Sequence, residues 1–224
     1  MASVSNKRSG WSSSLRYRRG LLLLGWCGML ASCATQESAS RVATVTADAL
    51  PVAAPGAVSV MQQVDERVYR GGRPDAAMFR RLRELGVKTI VTFSEDAAAL
   101  PLEKELAVAE GMEVVSIPVS VDREPTEEEV LLFLGTVLAP ERQPVYLHCD
   151  NGRDRTGALV AMYRVVVGGW EIQKAYEEAK ASGFWPYRGD AALHRFVHQL
   201  KDHPQYFEWA RELASVPVEA EGAL

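Results

Sequence analysis

The chain has 224 residues, 47% of them apolar, with 25 basic and 29 acidic side chains for a formal net charge of −4. That length and apolar content suffice for one or two domains with a core. The acidic balance argues against a nucleic-acid binder.

In chain order, residues 1–32 read as a leader. Lys7, Arg8, Arg16, Arg18 and Arg19 form a basic region without an acid, and Leu21 to Ala31 is a short apolar core. A bilayer span needs about 20 apolar residues, more than this run supplies. Removing the leader leaves 20 basic against 29 acidic residues, a net −9. A site for an anion must then be built locally, against the charge of the whole. Residues 33–58 are rich in Ala, Thr, Ser, Val and Pro and read as a flexible tether with a reach of roughly 30 Å. Residues 59–215 read as one folded domain, and 216–224 as a disordered tail.

Within the domain, the residues from Val68 to Pro74 open as a strand and a turn. A helix over 75–85 has Met78, Leu82 and Leu85 inward and Gly86 as its stop. Residues 88–93 are a strand, 101–110 a helix ended by Gly111, and 114–117 another strand. A loop over 118–125 follows. Thr126 then opens a helix as a capping box with Glu129. Residues 144–148 form a short buried strand, and 156–167 a helix that ends at Gly168-Gly169. Helices over 171–182 and from Asp190 to about 201 follow, then a last piece over 204–213. Strands alternating with helices predict an α/β fold: a single central, mostly parallel sheet flanked by helices on both faces.

The loop between the 144–148 strand and the next helix carries the chemistry. It reads His148-Cys149-Asp150-Asn151-Gly152-Arg153-Asp154-Arg155-Thr156-Gly157. A loop that opens onto a helix N-terminus aims backbone N–H groups and the positive dipole end at one spot. A phosphoryl dianion fits such a nest, and so does a thiolate. Gly152 permits the turn, and Arg155 can fork two donors onto phosphate oxygens.

This run resembles the signature loop of the cysteine-dependent phosphatases, the protein-tyrosine and dual-specificity family, over roughly residues 60 to 200. The segment Val68-Tyr69-Arg70-Gly71-Gly72-Arg73-Pro74 is similar to the opening strand and turn of compact bacterial, fungal and plant members. The resemblance implies a protein-tyrosine-phosphatase-like fold and hydrolysis through a cysteinyl-phosphate on Cys149, with no cofactor and no metal. It implies that Arg155 and the loop amides of residues 150–155 (Asp150, Asn151, Gly152, Arg153, Asp154) bind the phosphate. Thr156 would assist departure of the sulfur, and His148 would be structural. The leaving oxygen needs an acid. Asp122, in the loop before Thr126, is the first candidate by position. Asp154 is the rival, because a loop with Asp immediately before Arg resembles that of the myotubularins and bacterial triple-specificity phosphatases. Asp150 reads as a rim or specificity residue, pointing outward or paired with a cation.

Two enzyme alternatives fit less well. Arsenate reductases of the low-molecular-weight type need resolving cysteines, absent here, and rhodanese-type loops are shorter by one residue. A non-catalytic phosphate-binding module is a third reading. The expected substrate is a phosphorylated protein, a phosphoinositide or an inositol phosphate, with no nucleic-acid partner. Phe184, Trp185 and Tyr187 read as a staple for a C-terminal helix, with a substrate cleft as the alternative. His194 and His198 read as a solvated helix face, and Arg153 and Arg188 as surface charges that could widen the positive field.

Leu30-Ala31-Ser32-Cys33 resembles the lipobox of bacterial lipoproteins. By that resemblance Cys33 becomes the lipidated first residue, and the protein is membrane-anchored on the extracytoplasmic side of the bacterial cell envelope. Cys27 leaves with the leader, so Cys149 is the one free thiol of the mature chain. A conventionally cleaved signal or an uncleaved anchor are the alternatives.

Overall fold

The computed structural model describes residues 60–186 and 191–215. The leader, Cys33, the tether, Tyr187, Arg188, Asp190 and the tail lie outside the described residues.

Among the described residues, five strands form one sheet: β1 (Gln62–Gln63), β2 (Val68–Gly71), β3 (Thr89–Thr92), β4 (Glu113–Ser116) and β5 (Val145–His148). Their spatial order is β1-β2-β5-β3-β4. The pairs β2–β5, β5–β3 and β3–β4 are parallel, and β1 alone is antiparallel. Parallel neighbours need long crossovers, and helices supply them here. The α/β expectation therefore holds. The two-residue edge strand β1 had no legible periodicity.

Among the described residues, seven α-helices accompany the sheet. α1 (Ala76–Glu84) and α2 (Leu100–Ala109) lie on one face, where Phe79, Leu82 and Ala107 pack with Ile90 and Tyr146. On the other face are α3 (Glu127–Leu138), α4 (Asp154–Val166), α5 (Ile172–Ala181), α6 (Ala191–His198) and α7 (Pro204–Ser215). There Phe133, Leu134, Leu159 and Met162 pack with Val68, Val91, Val145 and Leu147. The split follows from strand geometry, since consecutive side chains such as Ile90 and Val91 point to opposite faces.

Local chemistry sets the helix ends. Asp75 caps α1 by accepting from the Met78 N–H at 2.8 Å. Gly86 and Gly111 take the left-handed conformation just beyond α1 and α2, with φ of +76° and +77°. Thr126 and Glu129 form both bonds of the capping box at the start of α3.

α4 begins at Asp154, two residues before the apolar periodicity suggests. The Gly157 N–H already reaches the Arg153 carbonyl at 2.7 Å, so Asp154, Arg155 and Thr156 lie in its first turn. From Thr156 to Tyr163 every residue of α4 is buried, as befits a helix wrapped on all sides.

Phe184 is completely buried, and a Cβ on Gly157 would come within 2.9 Å of it. The staple reading thus holds for Phe184. The reading of His194 as solvated needs correction. Its imidazole is buried, stacked 3.9 Å from the Phe184 ring, with Nδ1 at 2.8 Å from the Tyr176 hydroxyl. His198 is exposed and packs on Tyr176. The i, i+4 spacing showed that the two share a face, but not that α5 covers half of it.

Candidate active site

The central strand β5 delivers Cys149 to the sheet's C-terminal edge. Register places His148 beside Gly71 of β2 and Thr92 of β3, so three chain segments leave the sheet at one level. Active sites of open α/β sheets form at this edge. Cys149 is 3% exposed, between the end of β5 and the first turn of α4.

The loop closes tightly against the exit of β2. Gly152 has φ +69°, and a Cβ there would lie 2.2 Å from the Gly71 carbonyl carbon. Both the conformation and the contact require glycine. Tyr146 donates its hydroxyl to the Gly72 carbonyl at 2.7 Å and pins the same turn from below.

Two buried charged side chains support the loop, and the sequence reading assigned neither. Arg70, on β2, is 2% exposed, and its Nη2 donates to the Gly152 carbonyl at 2.9 Å. Its Nε and Nη1 have no hydrogen-bond partner. Burial lowers its pKa to about 10, against the opposing fields of Glu178 and the Cys149 sulfur. It therefore stays cationic at neutral pH, with its field on the sulfur. Glu103, on α2, is 6% exposed and lies 2.8 Å from Nε2 of His148, which is fully buried. Nδ1 of His148 is 3.2 Å from the Cys149 carbonyl oxygen. His148 is thus held between α2 and the loop backbone, which fits the structural role expected of it. Arg70 left one signal, a charge inside a strand whose neighbours are buried. Glu103 left none, because its pairing with His148 spans 45 positions.

The rim is built from three chain segments. Arg155 is 16% exposed, and its Nη1 donates to the Phe93 carbonyl at 3.3 Å while Nη2 lies 3.3 Å from Asp150 Oδ2. Asp150 Oδ1 accepts from the Ser94 hydroxyl at 2.8 Å and from Nη2 of Arg73. Arg73 also donates to Ser94 Oγ at 2.9 Å and to Asp96 at 3.1 Å. Burial pulls Asp150 upward, but the hydrogen bonds from Ser94 and Arg73 and the charge of Arg155 hold its carboxyl below the usual range. Burial likewise opposes the charge on Arg73, and Asp150 and Asp96 more than reverse it, raising its pKa. Of the two expected outcomes for Asp150, pairing with a cation is the one observed. Arg73 and Ser94 were missed as site residues because the loop after β3 has no motif of its own. A cavity of about 190 Å³ adjoins this rim, lined by Arg73, Ser94, Thr92, Glu103, Ser116 and Pro118.

The remaining candidates are distributed as follows. Asn151 is half-buried in the loop. Arg153 is half-buried with its side chain against Gly183, where a Cβ would meet its Cδ at 2.8 Å, so it is no ordinary surface charge. Thr156 is fully buried and its hydroxyl has no hydrogen-bond partner. Asp154 is the first residue of α4, with Oδ1 shielded from solvent. Asp122 is exposed, its N–H donating to Ser120 Oγ at 3.3 Å. Its neighbour Arg123 forks onto Glu129 at 2.8 and 2.5 Å, tying this loop to the start of α3. Asp122 thus lies in an open loop, and Asp154 in the half-buried first turn of α4.

The family described as "DSP-PTPase phosphatase fused to NAD+ Kinase" matches residues 43–192. The chain belongs to this family. It is 38% identical over 125 residues to the dual specificity protein phosphatase TpbA of Pseudomonas aeruginosa strain UCBPP-PA14, covering 55% of each chain. It is 29% identical over 119 residues to the inositol diphosphatase DSP4 of Arabidopsis thaliana, covering 51% of this chain and 59% of that one. The chain thus spans about half the length of the curated relatives it matches. A crystal structure of P. aeruginosa TpbA, a cysteine-to-serine variant in complex with pTyr, superposes with a TM-score of 0.55 at 30% identity, covering 70% of this chain and 91% of that one. The core catalytic domain of the PP-IP phosphatase SIW14 from S. cerevisiae superposes with a TM-score of 0.59, covering 73% and 98%, and at 21% identity it attests the fold.

Proposed function

We propose that this protein is a cysteine-dependent phosphoester hydrolase of the dual-specificity type. One observation carries the reading: Cys149 leaves the central strand beneath the first turn of α4, and that turn supplies Arg155. In the first step the Cys149 thiolate attacks phosphorus. An S–P bond forms, the P–O bond to the leaving group breaks, and an aspartic acid protonates the departing oxygen. In the second step water attacks phosphorus, the sulfur leaves as thiolate, and the same carboxylate takes the water proton. Arg155 and the loop amides hold the equatorial oxygens throughout. Arg70 supplies a second, buried positive field beneath the sulfur. Asp122 is the first candidate for the acid, because its open loop can approach a leaving group, and Asp154 is the second.

Phosphotyrosine and phosphoserine or phosphothreonine in proteins are the proposed substrates, supported by the likeness to TpbA. Inositol phosphates are the second reading, supported by the likeness to DSP4. The anchor proposal stands beside these: Cys33 carries lipid and the domain faces the extracytoplasmic side of a bacterial membrane, supported by the basic leader and Leu30-Ala31-Ser32-Cys33.

The test is turnover of p-nitrophenyl phosphate and of phosphopeptide and inositol-phosphate panels by the wild type and by Cys149→Ser. Turnover that Cys149→Ser abolishes supports the hydrolase. Phosphoester binding with no wild-type turnover supports the non-catalytic module instead. Asp122→Asn should slow poor leaving groups far more than good ones. An unchanged rate there, with a loss in Asp154→Asn, transfers the acid role to Asp154.

A further inference from the structure

Asp150 is placed where a phosphatase has least use for a carboxylate. It follows Cys149 directly, and both the thiolate and an incoming phosphate are anionic, so its charge opposes each of them. Yet the fold immobilises it from two other segments. Ser94, after β3, donates to Oδ1 at 2.8 Å, and Arg73, after β2, donates to the same oxygen. The Arg73 N–H adds a bond to the Asp150 carbonyl at 3.2 Å. Arg73 is itself steadied by Ser94 and Asp96. Asp150, whose side chain stays 41% exposed, places Oδ2 3.3 Å from the Arg155 guanidinium. The other terminal nitrogen of Arg155 donates to the Phe93 carbonyl, also at 3.3 Å, so one end of the guanidinium is hydrogen-bonded and the other ion-paired.

We propose that Asp150 is a positioning residue: Ser94 and Arg73 lock its carboxylate, and the carboxylate fixes the plane in which Arg155 receives the phosphoryl oxygens. This rests on Cys149 and Arg155 being the transfer pair. The arrangement has a cost and a benefit that fall on different quantities. The negative charge weakens binding of any dianion in the loop. The fixed guanidinium speeds transfer, because an orientation set before the reaction need not be found during it. A residue that merely stabilised the loop would lower both together.

The experiment measures tungstate dissociation constants by calorimetry, and kcat and KM on p-nitrophenyl phosphate, for the wild type, Asp150→Asn, Arg73→Gln and the double variant. Asp150→Asn keeps the shape and removes the charge. It should bind tungstate about 3–10-fold more tightly while kcat falls about 10-fold or more. Arg73→Gln should lower kcat in the wild-type background and add nothing further to Asp150→Asn, because it acts through that carboxylate. Unchanged or weaker tungstate binding in Asp150→Asn, an undiminished kcat, or additive losses in the double variant would overturn the proposal. If Asp150→Asn does not fold, Ser94→Ala replaces it and must show the same split at smaller size. A wild type that binds tungstate but turns over nothing sinks the hydrolase reading, and the tungstate comparison still decides the role of Asp150.

Discussion

At the scale of single residues, the site depends on groups that approach more closely than their types normally allow. Gly152 is one. A methyl group there meets the Gly71 carbonyl in a backbone region that costs other residues about 1–3 kcal/mol. Gly152→Ala should therefore lower stability by at least about 2 kcal/mol in denaturant unfolding and remove activity with it. Arg70 is the contrasting case. Its cation is fully buried, with two nitrogens unpartnered, so it adds little to stability. Arg70→Met keeps the volume and should cost no more than about 2 kcal/mol, chiefly for the orphaned Gly152 carbonyl. Turnover should nevertheless fall about tenfold or more, since a field aimed at the sulfur is lost. Equal losses in stability and rate would mean that Arg70 is only a prop. Cys149 and Arg155 were legible in the sequence because their spacing is local and their residue types have few other uses together. Arg70, Arg73, Ser94 and Glu103 were not. Each meets the loop across tens of residues, and only the sheet order β2-β5-β3 brings them together.

At the scale of elements, α4 transmits the packing of the C-terminal half to the loop. Phe184 fills the space that Gly157 leaves and stacks on His194, so it locks the second turn of α4 against the α5–α6 layer. Phe184→Ala should destabilise the protein by about 3–5 kcal/mol by thermal or denaturant unfolding. The α3 end is fixed differently. Thr126→Ala removes one capping bond and should cost about 1 kcal/mol. It also loosens the Arg123–Glu129 clasp behind Asp122. If Asp122 is the acid, the loss of rate in Thr126→Ala should be larger for poor leaving groups than for p-nitrophenyl phosphate. Strand and helix identities were readable here because apolar periodicity and capping are short-range. The start of α4 was misplaced for the opposite reason: Asp154 and Arg155 are polar residues that extend the helix ahead of its apolar periodicity.

At the scale of the whole molecule, an acidic domain carries the proposed phosphate site. Beyond residue 32, 20 basic residues face 29 acidic ones. The proposed phosphate site answers this locally with Arg70, Arg155 and the α4 terminus rather than with a broad positive field. No helix among the described residues is long and apolar enough to cross a membrane. The proposed anchor is lipid on Cys33. Cys33→Ser should move the protein from the membrane to the soluble fraction and abolish palmitate labelling, with the domain's activity retained. The most direct test of the account is an acid quench of the enzyme during turnover, followed by mass spectrometry of the peptide that contains Cys149. The account predicts phosphate on the Cys149 sulfur, absent without substrate and accumulating when the second step is slowed. Steady turnover with that sulfur never phosphorylated would contradict it.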